Sequence, residues 1–176
     1  MKNPFENTSV VLGVTGSIAA YKAVDLASKL TQAGALVDVV LTRGAENFLT
    51  QLTFSSITQR SVSTEIFDVN SDMSIEHVAL ARRADIVVVA PATAHTIAKM
   101  ANGMADDMLT TTLLATEAPV VIAPAMDANM SEHPAVRENL ETLHRRGITI
   151  VGPAPGRLAS GLWGIGRMVE PSDLMG

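Results

Sequence analysis

Ser9-Val10-Val11-Leu12-Gly13-Val14 runs directly into Thr15-Gly16-Ser17, and Ile18–Ala33 follows. The first stretch is apolar and β-branched with no polar alternation, the mark of a strand covered on both faces. Behind it Ala19, Ala23, Leu26, Ala27 and Leu30 recur at helical spacing, and Gly34 stops the helix. A buried strand, a tight Gly/Ser turn and a helix make the opening half of a βαβ unit. Val37–Leu41, Asp85–Ala90, Pro119–Ala123 and Ile148–Val151 repeat the strand pattern. Ile75–Arg83, Ala94–Ala101, Met108–Ala115 and His133–Arg146 read as the intervening helices. The expected fold class is therefore α/β, a parallel sheet with helices on both faces, in a single domain over 1–176. Gly152–Met168 breaks the pattern: Gly152, Gly156, Gly161, Gly164 and Gly166 stand with Pro153 and Pro155. It reads as a long loop, and long loops in compact domains are usually functional or disordered.

The composition narrows the function classes. The 176 residues are 47% hydrophobic and carry a net charge of −5, so neither disorder nor a phosphate-backbone partner fits. Aromatics are 3%, which leaves few platforms for stacking bases. There is no cysteine, which excludes disulfides and thiolate chemistry from these residues. No apolar run approaches the ~18 residues of a membrane span. The reading is a soluble cytoplasmic protein without nucleic-acid or membrane partners. Charged residues are only 18%, below the ~25% of an average domain. That points to extra surface buried against copies of itself, though a compact domain with Ala-rich helices also fits.

Ligands of open α/β sheets sit beyond the carboxyl ends of the strands. Three such ends carry small polar residues here: Thr15-Gly16-Ser17, Pro91-Ala92-Thr93-Ala94-His95-Thr96, and Pro124-Ala125-Met126-Asp127-Ala128-Asn129-Met130. The first suits an anion at a helix N-terminus. Its spacing is not that of a dinucleotide fingerprint, and Thr42 stands where an acidic ribose ligand would end the second strand. Each segment alone is also an ordinary capped turn; the three together favour one crevice. His77 opens a helix, and a lone histidine is more often structural than catalytic. His133 and His144 lie in a polar helix and read as solvated. No histidine spacing suits a metal.

Taken in order, Gly16–Ala19, Thr42–Phe48, His77-Val78-Ala79-Leu80, Pro91–Thr96, Pro124–Met130 and Leu158-Ala159-Ser160-Gly161 with Gly164–Met168 resemble the homo-oligomeric flavin-containing cysteine decarboxylases. The similarity is greatest to the phosphopantothenoylcysteine decarboxylase branch, found in bacteria as one half of two-domain coenzyme A enzymes, and it covers about residues 8–170. It implies a flavodoxin-like or Rossmann-like fold, a homotrimer or a dodecamer of trimers, and FMN at a subunit contact. Gly16, Ser17 and Ile18 match the phosphate turn, and Thr42, Arg43, Gly44 and Phe48 the next FMN contact. Thr93, Ala94, His95 and Thr96 match the stretch that holds the flavin, with Ala125 against its ring. His77 matches the catalytic histidine. Asp127 and Met130 match the substrate-gripping motif, Gly161 and Arg167 belong to the flap about 152–168, and Arg82 is a candidate for the substrate phosphate.

The implied reaction converts 4′-phosphopantothenoylcysteine to 4′-phosphopantetheine. Flavin oxidation of the C–S centre creates the electron sink that decarboxylation needs, and reduction of the enethiolate completes the product. The resemblance also implies a possible linkage to a phosphopantothenate–cysteine ligase domain. Three departures stand out. Ser160 occupies a flap position that is often cysteine, and a hydroxyl is a poorer proton donor. Asp127 replaces the commoner Asn, and an ionised carboxylate there repels a substrate carboxylate, so Asp127 is expected to be protonated or bonded to an amide. His95 stands where Asn is usual. The alternatives are a peptidyl-cysteine decarboxylase releasing an enethiol, which Ser160 favours, and a non-catalytic FMN-binding regulatory subunit, which His77 disfavours.

Overall fold

The computed structural model describes residues 3–66 and 76–176. The unalternated strands pair in parallel, as read. β1 (Ser9–Val14) lies between β2 (Leu36–Leu41) and β4 (Ile86–Ala92). With β3 (Val62–Ser63), β5 (Val120–Pro124) and β6 (Thr149–Ile150), the six strands run in the order β3-β2-β1-β4-β5-β6. This is the doubly wound order, in which the chain leaves β1 in one direction, then returns to its other side. The crevice of such a sheet opens at the carboxyl ends of β1 and β4.

Covering on both faces explains the lack of alternation. Val10, Leu12 and Val14 pack against α1 (Ala20–Gln32) and α2 (Gln51–Thr58), through Ala23, Leu26, Leu30 and Phe54. Val11 faces the opposite layer, with Leu80 of α3 (Glu76–Arg83), Ile97 of α4 (Ala94–Asn102) and Leu109 of α5 (Met108–Ala115). Leu143 of α7 (Pro134–Arg145) joins that layer, after the short α6 (Ala128–Glu132). Each of these large side chains contributes about 1.5–3 kcal/mol when fully buried. Leu109 lies so close over β1 that a Cβ on Gly13 would come within 2.4 Å of it. Any larger residue at position 13 would force the Leu109 side chain to shift.

Among the described residues two charges sit inside, Lys22 on α1 and Asp38 on β2. Asp38 on β2 is 4% exposed and accepts from Arg60 Nε at 2.8 Å and Arg83 Nε at 3.0 Å. The pair of guanidiniums compensates the buried carboxylate and ties the end of α3 to the sheet.

The structure differs from the sequence reading in several places. α1 begins at Ala20, not Ile18, because residues 15–19 form a tight turn. The expected start of the third helix at Ile75 lies outside the described residues. β3, α2, α6 and α8 (Pro171–Met175) carried too few periodic residues to be read. The long Gly/Pro segment is not an irregular loop. β7 (Ala154–Arg157) and β8 (Trp163–Arg167) pair antiparallel as a hairpin. Its glycines and Pro155 hide the strand signal, because a two-stranded ribbon with open edges tolerates both.

Candidate functional site

The turn after β1 is knitted to the end of β4 by one buried side chain. Thr15 is 1% exposed; its Oγ1 donates to the Pro91 carbonyl at 2.6 Å and accepts from the Thr93 amide at 3.1 Å. Thr42 closes the other side, its amide donating to the Val14 carbonyl at 3.1 Å. Gly16 and Gly44 then face each other across backbone alone. A Cβ on Gly16 would lie 2.9 Å from the Gly44 backbone, closer than real contacts allow. α1 starts with no side-chain cap and no acidic residue in its first turn, which leaves its positive end open to an anion. Ser17 Oγ accepts from the Ala19 amide at 3.1 Å.

Two clefts meet at this turn. The first, about 680 Å³, is lined by Gly16, Ser17, Ile18, Thr93, Ala94, His95 and Ala125 on the strand-end side. Asp127, Met130, Ser160 and Arg167 line its opposite wall. The second, about 940 Å³, runs from Thr42, Arg43 and Gly44 past Thr96 to Lys99, Asp106 and Asp107. Gly16, Thr93 and His95 belong to both. Thr93 caps α4, accepting from the Thr96 amide at 3.3 Å, and so aims His95 at the junction. Lys99 Nζ bonds Asp106 at 2.7 Å and Asp107 at 3.0 Å, and its hydrogen bond holds the Asp106 carboxyl below its ordinary range.

The far wall is the hairpin. The Met126 amide donates to the Gly166 carbonyl at 2.9 Å, and Ser131 Oγ donates to the Ile165 carbonyl at 2.8 Å. A Cβ on Gly166 would meet the Met126 carbonyl at 2.2 Å, so glycine is required for this approach. At the tip, Ser160 Oγ donates to Asp127 Oδ2 at 2.7 Å. Asp127 also caps α6, accepting from the Asn129 amide at 3.1 Å. Both donors favour the charged carboxylate, Ser160 most, and hold it below the usual range. The expected amide bond is therefore present, while the geometry speaks against a protonated Asp127. The base of the wall rests on Lys22, 3% exposed, whose Nζ donates to the Met168 carbonyl and to Glu170, both at 2.8 Å. Arg167 shares Glu170 at 2.6 Å.

Four of the sequence candidates line neither cleft among the described residues. Phe48 is exposed beyond the trough, Gly161 sits at the hairpin turn at φ +85°, and Arg82 is exposed on α3. His77 is the fourth. It is half-buried at the start of α3, and its Nδ1 is buried without a hydrogen-bond partner among the described residues. Lys22, Tyr21, Arg157, Lys99 and Asp106 line the clefts unannounced. Lys22 alone left a signal, a cation in an otherwise apolar helical face. No group of three potential metal ligands occurs among the described residues.

The family model described as Flavoprotein matches residues 2–176. The chain is 48% identical over 169 residues to the Coenzyme A biosynthesis bifunctional protein CoaBC of Bacillus subtilis, covering 96% of this chain and 42% of that one. The same protein of Vibrio cholerae is 49% identical over 166 residues, with 94% and 42% covered. The chain thus spans less than half the length of these curated relatives. Among solved structures, a PPC decarboxylase variant complexed with pantothenoylaminoethenethiol superposes with a TM-score of 0.85 at 33% identity, covering 97% of this chain and 95% of that one. The FMN-dependent cysteine decarboxylase SpaF gives 0.80 at 34%, with 92% and 91% covered. A single α/β domain whose crevice lies at the β1–β4 strand ends, matched over nearly its whole length, belongs to the flavoprotein family of cysteine decarboxylases.

Proposed function

We propose that this chain is an FMN-dependent carboxy-lyase that converts 4′-phosphopantothenoylcysteine to 4′-phosphopantetheine in coenzyme A biosynthesis. The observation that carries the reading is the junction of the two clefts. A backbone-floored trough, open to an anion at α1, meets an apolar cleft whose far wall holds Asp127 and Ser160. The residues fit FMN. Gly16 and Gly44 leave a cradle that a Cβ would fill, Ser17 and the α1 N-terminus suit its phosphate, and Ala94, Ala125 and Ile18 offer apolar surface for its ring. When bound there, flavin supplies the two-electron sink that a saturated cysteine carboxylate lacks.

The chain's own residues bind, orient and exclude water. Met130 and Arg167 line the substrate side, and the hairpin covers the cleft against water. Arg157 and Arg167 give that rim its cations, and the buried Lys22 lies at its base. Asp127, held as a carboxylate, serves as a hydrogen-bond acceptor, not as a grip on a substrate carboxylate. His77 handles a proton from a second copy, since within one copy it lines neither cleft. Its Nδ1, buried without a partner among the described residues, and the low charge fraction support a homo-oligomer, a trimer or a dodecamer of trimers. Operation in the cytoplasm, and linkage to a ligase region as in the bifunctional relatives, belong to the same reading. No helix among the described residues is long and apolar enough to cross a membrane.

The test is one anaerobic incubation of FMN-loaded protein with phosphopantothenoylcysteine. Phosphopantetheine and CO2 are expected, and His77→Asn is expected to lose at least about a hundredfold in rate. Absence of CO2 in the wild type defeats the reading. The Ser160–Asp127 bond favours a second reading, release of an enethiol, because the only hydroxyl proton of Ser160 is engaged by Asp127. Accumulated enethiol with reduced flavin identifies it.

A further inference from the structure

We infer that Thr15, which belongs to neither cleft wall, is the positioning residue that sets the width of the cofactor trough. The inference rests on the FMN reading above. Thr15 lies at the switch point of the sheet, between the last residue of β1 and Gly16, and is the residue through which the two strand ends on either side of the crevice are joined by a side chain. Its hydroxyl is used twice: it donates to the Pro91 carbonyl and accepts from the Thr93 amide. The donor and acceptor roles are both filled, so the hydroxyl fixes two peptide groups at once in a site where water is shut out. Thr93 in turn caps α4 and sets where Ala94, His95 and Thr96 stand. The Thr15 carbonyl accepts from the Ser17 amide at 2.9 Å, which shapes the turn on the opposite side. One residue therefore couples the phosphate turn to the ring wall, although it presents no atom to either cleft.

Thr15→Val keeps the shape and removes both bonds; Thr15→Ser keeps the hydroxyl and removes a methyl. FMN is titrated into each by flavin fluorescence, the bound flavin is recorded by visible circular dichroism at saturation, and FMN-free unfolding is followed in parallel. Thr15→Val is expected to weaken FMN binding about ten- to a hundredfold, from an unpaired buried amide. Its bound-flavin dichroism is expected to change, which a loss of global stability alone would not produce. Thr15→Ser is expected to stay within about threefold of wild type with an unchanged spectrum. Should Thr15→Val not fold, Thr15→Ala carries the same comparison. The inference falls if the hydroxyl-free variant binds FMN as wild type does, or if Thr15→Ser is equally weak, or if the dichroism is unaltered. Wild-type protein that takes up no FMN defeats the functional reading itself, a result distinct from these.

Discussion

The two walls of the first cleft differ in how their outer edges are held. The strand-end wall is secured by buried bonds between backbone and Thr15, and it adjoins the glycine-against-glycine floor of the second cleft. The hairpin wall touches the sheet through one backbone bond at Gly166 and rests at its base on the buried Lys22 with Glu170 and Arg167, while its tip is held by the exposed Ser160 on Asp127. Buried, water-excluded bonds hold a geometry, whereas exposed ones are exchanged with solvent at little cost. A site that must grip a cofactor throughout but admit and release a substrate needs one edge of each kind.

The contrast breaks most sharply at Gly16. Gly16→Ala sets a Cβ 2.9 Å from the Gly44 backbone, which has no side chain to yield. The trough must open, at a cost of about 1–3 kcal/mol, and FMN affinity is expected to fall about a hundredfold by fluorescence titration. Ser160→Ala, on the other wall, is expected to leave FMN affinity within about threefold; an equal loss in both variants would erase the distinction between the walls.

Glu170→Ala gives an intermediate effect. Lys22 keeps only the Met168 carbonyl, and α8 loses the Glu170 half of its capping box. A destabilisation of about 1–3 kcal/mol is expected in denaturant unfolding. Lys22 donates to Glu170 and holds its carboxyl below the ordinary range. The contribution of Glu170 is therefore complete above the usual carboxylate range and fades as pH drops through the lowered value. Unfolding curves whose difference from wild type is the same at neutral and strongly acid pH would contradict this.

The smallest effect belongs to the tip. Trp163 is the chain's one tryptophan and is 78% exposed in β8, near the Ser160–Asp127 bond. Because Ser160 favours the charged Asp127, the bond persists through neutral pH and is lost as acid protonates the carboxylate below its ordinary range. Iodide quenching of Trp163 is expected to show that acid transition in wild type and a flat profile in Ser160→Ala. Identical profiles would mean that the tip is held by something else.

The sheet was legible because its strands are covered twice. Val10 and Val11 both had to be apolar, since each faces a different core. The strand-end segments were legible because small polar residues there have few structural reasons to recur three times. The hairpin was not, because Gly156, Gly164 and Gly166 are selected for close approach and not for strand propensity. Lys22 showed only as a cation breaking the apolar face of its helix, and Thr15 was hidden by chemistry that no spacing rule describes, a hydroxyl spent on two peptide groups of a distant strand. The Ser160–Asp127 pair was visible only as two separate departures; their contact across 33 positions of sequence is a property of the fold.

The floor between Gly16 and Gly44 contains no side chain, and that constrains substitution. Any side chain added at Gly16 or Gly44 comes at the expense of the approach itself, so the floor tolerates no substitution without moving the backbone. His95, Asp127 and Ser160 stand on the walls instead, where substitution costs little packing. The groups that face the cleft are thus open to exchange on its rims while the glycine floor is not.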